Sequence, residues 1–199
     1  MTVTGFTNPV ITYIDMACQN LANGTLTANF TCSFPMKYYD DSQRYDINVT
    51  VRDISGVLAY NDTEFFNYNS LKAWTLTPTS FSFPSANPES TDIASIQNPI
   101  KMNNTGNEDI STINVTAYDL AGTTDPSYFI GAGNFSVNII NAASGDILSN
   151  ATEIPVSGSS LPSGPLSVEN LYFWLEYVPN VINQIYDTST LGQWIIKGE

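Results

Sequence analysis

Tyr45-Asp-Ile-Asn-Val-Thr-Val-Arg52 alternates apolar and polar residues without a break. Tyr45, Ile47, Val49 and Val51 fall on one side of an extended chain, with Asp46, Asn48, Thr50 and Arg52 on the other. A period of two marks a strand with one face covered and one in water, the usual state of an antiparallel sheet. The pattern recurs upstream, where Leu26, Ala28, Phe30, Cys32 and Phe34 oppose Thr27, Asn29, Thr31 and Ser33. It recurs downstream in Ile113, Val115 and Ala117 and in Phe135, Val137 and Ile139, and more loosely over 10–18 through Val10, Ile14, Met16 and Cys18. Asn23-Gly24 lies between the first two segments and signals a hairpin turn. Further strands are expected near 79–83, 99–103, 111–118, 134–140, 152–157, 170–178 and 192–197, which makes the chain all-β. Val168–Tyr177 has length enough for a short helix, but its aromatic residues fit a strand better.

Composition agrees. The 21 Asn, 21 Thr and 20 Ser among 199 residues favour strands and turns over helices. Nineteen acidic residues against six basic ones give a net charge of −13. The cations Lys37, Arg44, Arg52, Lys72, Lys101 and Lys197 are scattered singly, so neither nucleic acid nor an anionic membrane surface is an expected partner. No stretch approaches the ~20 apolar residues of a membrane-spanning helix. Met1–Val10 lacks the basic start and apolar core of a signal peptide; the expectation from the remaining signals is a secreted chain whose leader has been removed.

Residues 48–56 read Asn-Val-Thr-Val-Arg-Asp-Ile-Ser-Gly and residues 114–122 read Asn-Val-Thr-Ala-Tyr-Asp-Leu-Ala-Gly, five identities in nine. In both, Asp-x-x-Gly reads as a turn that ends a strand. Two copies suggest two domains, residues 1–70 and 71–199, with Trp74-Thr-Leu-Thr-Pro78 opening the second. Residues 158–167, rich in Ser, Gly and Pro, read as a surface loop.

Asn-x-Ser/Thr sequons occur at Asn23, Asn29, Asn48, Asn61, Asn103, Asn114, Asn134 and Asn150, eight where chance pairing gives about four. Asn29, Asn48, Asn114 and Asn134 fall on the polar side of alternating strands, where an N-linked glycan would reach solvent. Cys18 and Cys32, the sole cysteines, flank the Asn23-Gly24 turn and are expected to form a disulfide. Pairing symmetric about that turn would set Cys18 opposite Asn29, so the connection must be wider or bulged. The alternative is two buried thiols.

The chain has no His, which removes the usual general base, the Ser-His-Asp triad and the commonest metal ligand. No phosphate-binding glycine loop is present. Asp40-Asp41 and Glu108-Asp109 are adjacent acids, but neighbours on a strand point to opposite faces and make poor catalytic pairs. No enzyme is expected and no organic cofactor. The metal the composition points to is calcium, through Asp40, Asp41, Asp46, Asp53, Glu108, Asp109 and Asp119 in expected loops, although no spacing matches a known calcium loop. Tyr38-Tyr39, Phe65-Phe66 and Tyr172-Phe173-Trp174 could stack on sugars or a partner subunit, but half of each group should be core.

The runs Cys32-Ser-Phe-Pro-Met-Lys-Tyr-Tyr39, Tyr45–Asp53, Thr77-Pro-Thr-Ser-Phe-Ser-Phe83, Asn98-Pro-Ile-Lys-Met-Asn-Asn-Thr-Gly-Asn107 and Ile113–Leu120 resemble the immunoglobulin-like modules of secreted archaeal surface proteins. That resemblance implies two tandem immunoglobulin-like antiparallel β-sandwiches in an extracellular, N-glycosylated structural protein of a surface layer, pilus or other filament. The expected partner is the chain itself, through strand-edge pairing or donation of Thr2–Met16, with Val10, Ile14 and Met16 as plugs. The same segment also reads as the first strand of its own domain. The alternative function is a monomeric adhesin that binds surface glycans through Tyr172 or Trp174.

Overall fold

The computed structural model describes residues 2–5, 11–14, 18–24 and 28–199. Within them the chain is all-β, with one 3₁₀ turn at Ala132–Asn134. It divides into two compact units, Met1–Leu71 with Gly106–Glu108, and Lys72–Thr105 with Asp109–Glu199.

The first unit contains β1 (Thr2–Gly5), β2 (Ile11–Ile14), β3 (Gln19–Asn23), β4 (Ala28–Thr31), β5 (Gln43–Arg52) and β6 (Leu58–Tyr68). An antiparallel sheet runs in the order β2-β1-β5-β6, and β3 and β4 form a separate hairpin. The unbroken alternation of Tyr45–Arg52 gives β5 its length, and Asp53 then turns the chain. Asp53 Oδ1 accepts from the Val57 N–H at 2.8 Å, and the Gly56 N–H donates to the Asp53 carbonyl at 3.1 Å. Gly56 has φ +89°, which a residue without Cβ adopts at little cost.

Tyr45 is fully buried, its ring stacked on Phe66 at 5.3 Å; Phe34 lies 6.0 Å from Phe66 and Tyr13 5.7 Å from Phe34. Among the described residues, no other large apolar side chain of this unit is fully buried. The alternation over 28–34 is not converted into a core: Ala28 and Phe30 are exposed, and Cys32 and Phe34 half-buried. A lone two-stranded hairpin has no second layer to lie against its apolar side.

The second unit contains β7 (Trp74–Thr77), β8 (Thr91–Ala94), β9 (Ile100–Asn104), β10 (Ile113–Ala117), β11 (Leu120–Gly122), β12 (Phe129–Ile130), β13 (Phe135–Asn138), β14 (Asp146–Ile147), β15 (Thr152–Pro155), β16 (Val168–Tyr177), β17 (Tyr186–Asp187) and β18 (Ile195–Gly198). One sheet runs β14-β13-β16-β9-β7, with β8 also paired to β16; a second runs β15-β10-β18, and a third β12-β11-β17. All these ladders are antiparallel. β16 is the strand its aromatics suggested, with Leu171, Phe173 and Leu175 turned to the core. Ile113, Val115 and Ala117 of β10 enter the same core from another sheet, with Ile100, Met102, Phe135 and Val137.

Residues 79–83 form no strand. Pro78 and Pro84 remove two backbone donors there, and the Ser82 N–H is taken by the Gln97 side chain at 2.7 Å. The segment packs instead through its rings: Phe81 stacks on Phe173 at 4.5 Å and Phe83 lies 5.3 Å from Phe135. Trp194 closes the cluster 5.1 Å from Phe135, its indole N–H donating to the Tyr118 carbonyl at 2.8 Å.

The second copy of the repeat does not turn as the first does. After β10 the chain runs past Asp119 directly into β11, which belongs to a different sheet. Gly122 serves close packing rather than a turn, because a Cβ there would lie 2.6 Å from the Asp125 carbonyl oxygen and closer still to the Gln184 amide. The shared nine residues therefore lead into different local structures.

Phe173 is fully buried and touches both Phe81 and Trp194. Phe173→Ala should destabilise the second unit by roughly 3–5 kcal/mol, whereas Leu166→Ala, at an exposed position, should stay within about 0.5 kcal/mol. Urea denaturation followed by tryptophan fluorescence measures both.

Candidate functional site

The features that bear on function lie mostly on surfaces, and the first is a covalent one. Cys18 and Cys32 form a disulfide with a Cα–Cα distance of 4.2 Å. Gln19 pairs with Thr31 and Asn20 with Phe30, but Ala22 then pairs with Asn29, so one extra residue bulges out around Leu21. Asn23 pairs with Ala28, so the connection is also wider than a two-residue Asn23-Gly24 turn, and the wider connection and the bulge together set the two cysteines opposite each other. Closing a 15-residue loop restricts the unfolded chain by about 3 kcal/mol in the loop-entropy account. Here it staples a hairpin whose Leu21 and Phe30 side chains are left in solvent.

The sequon asparagines separate by environment. Asn29, Asn48, Asn61 and Asn150 are exposed, and Asn103 and Asn134 are half-buried; the side chain of Asn23 lies outside the described residues. Asn61 accepts from both the N–H and the hydroxyl of Thr63, at 2.9 and 2.8 Å. Asn114 departs from its expected place on an open polar face, being 7 % exposed. Its amide donates to Glu153 Oε1 at 2.8 Å, and Lys197 Nζ donates to Glu153 Oε2 at 2.9 Å. The polar side of β10 is thus roofed by side chains of β15 and β18. Lys197 holds the Glu153 carboxyl below its ordinary pKa and is itself raised.

The acidic residues do not converge. Among the described residues, no group of three His, Cys, Asp or Glu stands close enough to hold a metal ion. Asp53 accepts from Val57 N and Ser55 Oγ, Asp119 from Ala132 N, and Asp109 from Ser163 N; Asp46 pairs with Arg44 at 2.6 Å. Glu108 accepts from Ser42 Oγ at 3.1 Å, and Asp41 serves through its carbonyl, which accepts from Tyr45 Oη at 3.1 Å. Asp40, 5 % exposed, accepts from Lys37 N and from the Tyr13 hydroxyl. Asp125 and Asp187 each accept a hydroxyl and an N–H from the serine two residues on, which lowers both carboxyls.

An apolar recess of about 70 Å³ opens in the second unit between Leu76, Phe81, Ile100, Val115, Phe173 and Trp194. It is well below the roughly 300 Å³ of an ordinary small-molecule site. Tyr172 and Trp174 stand half-buried on the same side of β16 while Phe173 is core, which divides that aromatic triplet as alternation requires. The indole N–H of Trp174 is buried and has no hydrogen-bond partner among the described residues. Tyr38 is exposed and packs edge-on against half-buried Tyr39 at 5.1 Å; Phe65 is exposed under the Arg44 guanidinium at 4.0 Å, while Phe66 packs inward.

The described parts of the expected donor segment, β1 and β2, pair within the first unit's own sheet. β1 is an inner strand, pairing with β2 through Thr2–Ile14 and with β5 through Thr2–Asn48. Ile14 is 63 % exposed on the edge strand β2; Val10 and Met16 lie outside the described residues.

Sequence reading did not foresee the outer half of the β5–β6 hairpin. Val51 was expected to be covered, yet Val51, Ile54, Val57, Leu58 and Tyr60 are all exposed. A signal was present: Ile54 and Val57 put apolar side chains on a Ser-Gly turn that would ordinarily carry polar ones.

Comparison with protein-family models, with curated proteins and with solved structures finds no match for this chain.

Burial raises the Tyr45 phenol above its ordinary pKa, and burial together with the Asp40 hydrogen bond raises Tyr13 strongly. The folded state therefore favours neutral phenols. That contribution is complete below about pH 10, where unfolded tyrosine titrates, and is lost as pH rises through the folded values. The urea midpoint of the first unit should fall from pH 10 upward, with phenolate absorbance growing as it unfolds. Tyr45→Phe should fall less steeply over that range after losing about 1 kcal/mol at neutral pH with its hydrogen bond.

Proposed function

We propose that the chain is an N-glycosylated structural subunit of the cell exterior, with an immunoglobulin-like β-sandwich in its second unit, that assembles with copies of itself through strand edges into a filament or surface layer. The observation that carries this reading is the Cys18–Cys32 disulfide, because such bonds persist in oxidising compartments and are rare in the cytosol. Four exposed sequon asparagines, Asn29, Asn48, Asn61 and Asn150, support glycosylation in the same compartment. The sandwich reading draws on the second unit, where two sheets fill one core. Assembly by edges draws on β2 and β6, the outer strands of the first unit's main sheet.

Strand-edge pairing is preferred to donation by the N-terminal segment, since β1 already occupies an inner position in its own sheet. Glycan binding has Tyr172 and Trp174 side by side in its favour, but the buried indole N–H of Trp174 cannot reach a sugar hydroxyl without a shift of its neighbours.

Protein isolated from its native source should lose mass on deglycosylation and show polymers by negative-stain electron microscopy. A mass unchanged by deglycosylation together with dispersed single particles would sink the proposal.

A further inference from the structure

β1 reaches Asn48 of β5 through Thr2, and among the described residues no third strand joins Val49–Arg52; β6 is the outermost strand along its length. Residues 49–60 are therefore a two-stranded ribbon with open backbone edges. Val51 pairs with Ala59 on one face and Arg52 with Leu58 and Thr50 with Tyr60 on the other. Leu58 is 63 % exposed and Tyr60 76 %, and Ile54 at the turn is fully exposed.

An open edge beside apolar faces is a template for another strand unless it is guarded. The inner half of β6 is guarded twice. A register shift between Ile47 and Val49 sets an extra β6 residue against them, and Asp62 and Glu64 add charge to the edge. Both devices stop at Asn61. From Val49 to Tyr60 the charged residues are Arg52 and Asp53, which cancel, in a chain of net charge −13. Two copies of so acidic a chain repel each other, and a segment without net charge adds nothing to that repulsion when it meets its own copy. No sequon falls between 49 and 60, so a glycan on Asn48 or Asn61 would flank the segment without lying in it.

We propose that residues 49–60 are a self-association arm, in which the outer half of β6 pairs antiparallel with the same segment of a second copy and buries Leu58 and Tyr60. An antiparallel strand edge is complementary to itself across a two-fold axis, so one sequence supplies both sides of the contact. The inference rests on the assembly reading above and gives that assembly a dimeric building unit; an open filament needs a second, different contact.

The test is sedimentation velocity on the full chain at micromolar concentrations, with circular dichroism as the check on folding. Leu58→Asp with Tyr60→Asp should weaken dimerisation at least about tenfold. Ile140→Asp with Leu166→Asp adds the same charge at two exposed positions of the second unit and should leave the dimer intact. Association unchanged in the arm variant overturns the arm while leaving the assembly reading in place. Equal loss in both variants also overturns it, since charge alone would then account for the effect. A wild-type chain that stays monomeric and forms no polymer overturns both.

Discussion

An alternating strand buries its apolar side only if a second layer lies against it, and that condition separates the two units. In the second unit, β16 and β13 face side chains of β10 across a shared core, and the rings of Phe81, Phe83, Phe135, Phe173 and Trp194 fill the space between. Hydrophobic burial there is large enough to hold many short strands, several of only two residues, that could not persist alone. In the first unit the covering layer shrinks to an aromatic row from Tyr13 through Phe34 and Phe66 to Tyr45.

The thin cover explains why the first unit carries the disulfide. With Phe30 and Leu21 in solvent, the β3–β4 hairpin gains little from packing, and a covalent link that restricts the unfolded chain substitutes for the missing layer. It also explains the arm. β5 and β6 outrun both β1 and the aromatic row, so Val51, Leu58 and Tyr60 are left open although the pattern is that of a covered strand.

Asn-Val-Thr occurs in β5 and again in β10, and the contrast is instructive. Asn48 is on the open side of a strand with solvent beyond it, while Asn114 is roofed by Glu153 from the neighbouring strand, itself held by Lys197. A glycan fits the first position. At the second it would displace a satisfied hydrogen bond and a roofing carboxylate. The tripeptide is identical; the neighbours are not.

Much was legible in residue order. Alternation is a local property, so β5, β10, β13 and β16 could be read directly, and the need for a wider or bulged connection between Cys18 and Cys32 followed from counting residues across a turn. Short strands such as β8, β11, β12, β14 and β17 could not be read, because their few residues show no apolar–polar alternation and they exist only where a neighbouring strand offers hydrogen bonds. Nor could the different fates of Asp53 and Asp119, one closing a hairpin through Gly56 and the other leading into a new sheet. The sequence alone determined which residues can lie on the same side of a strand. Whether that side is core, interface or open water was decided by the tertiary structure, since burial depends on what the rest of the chain brings to face it.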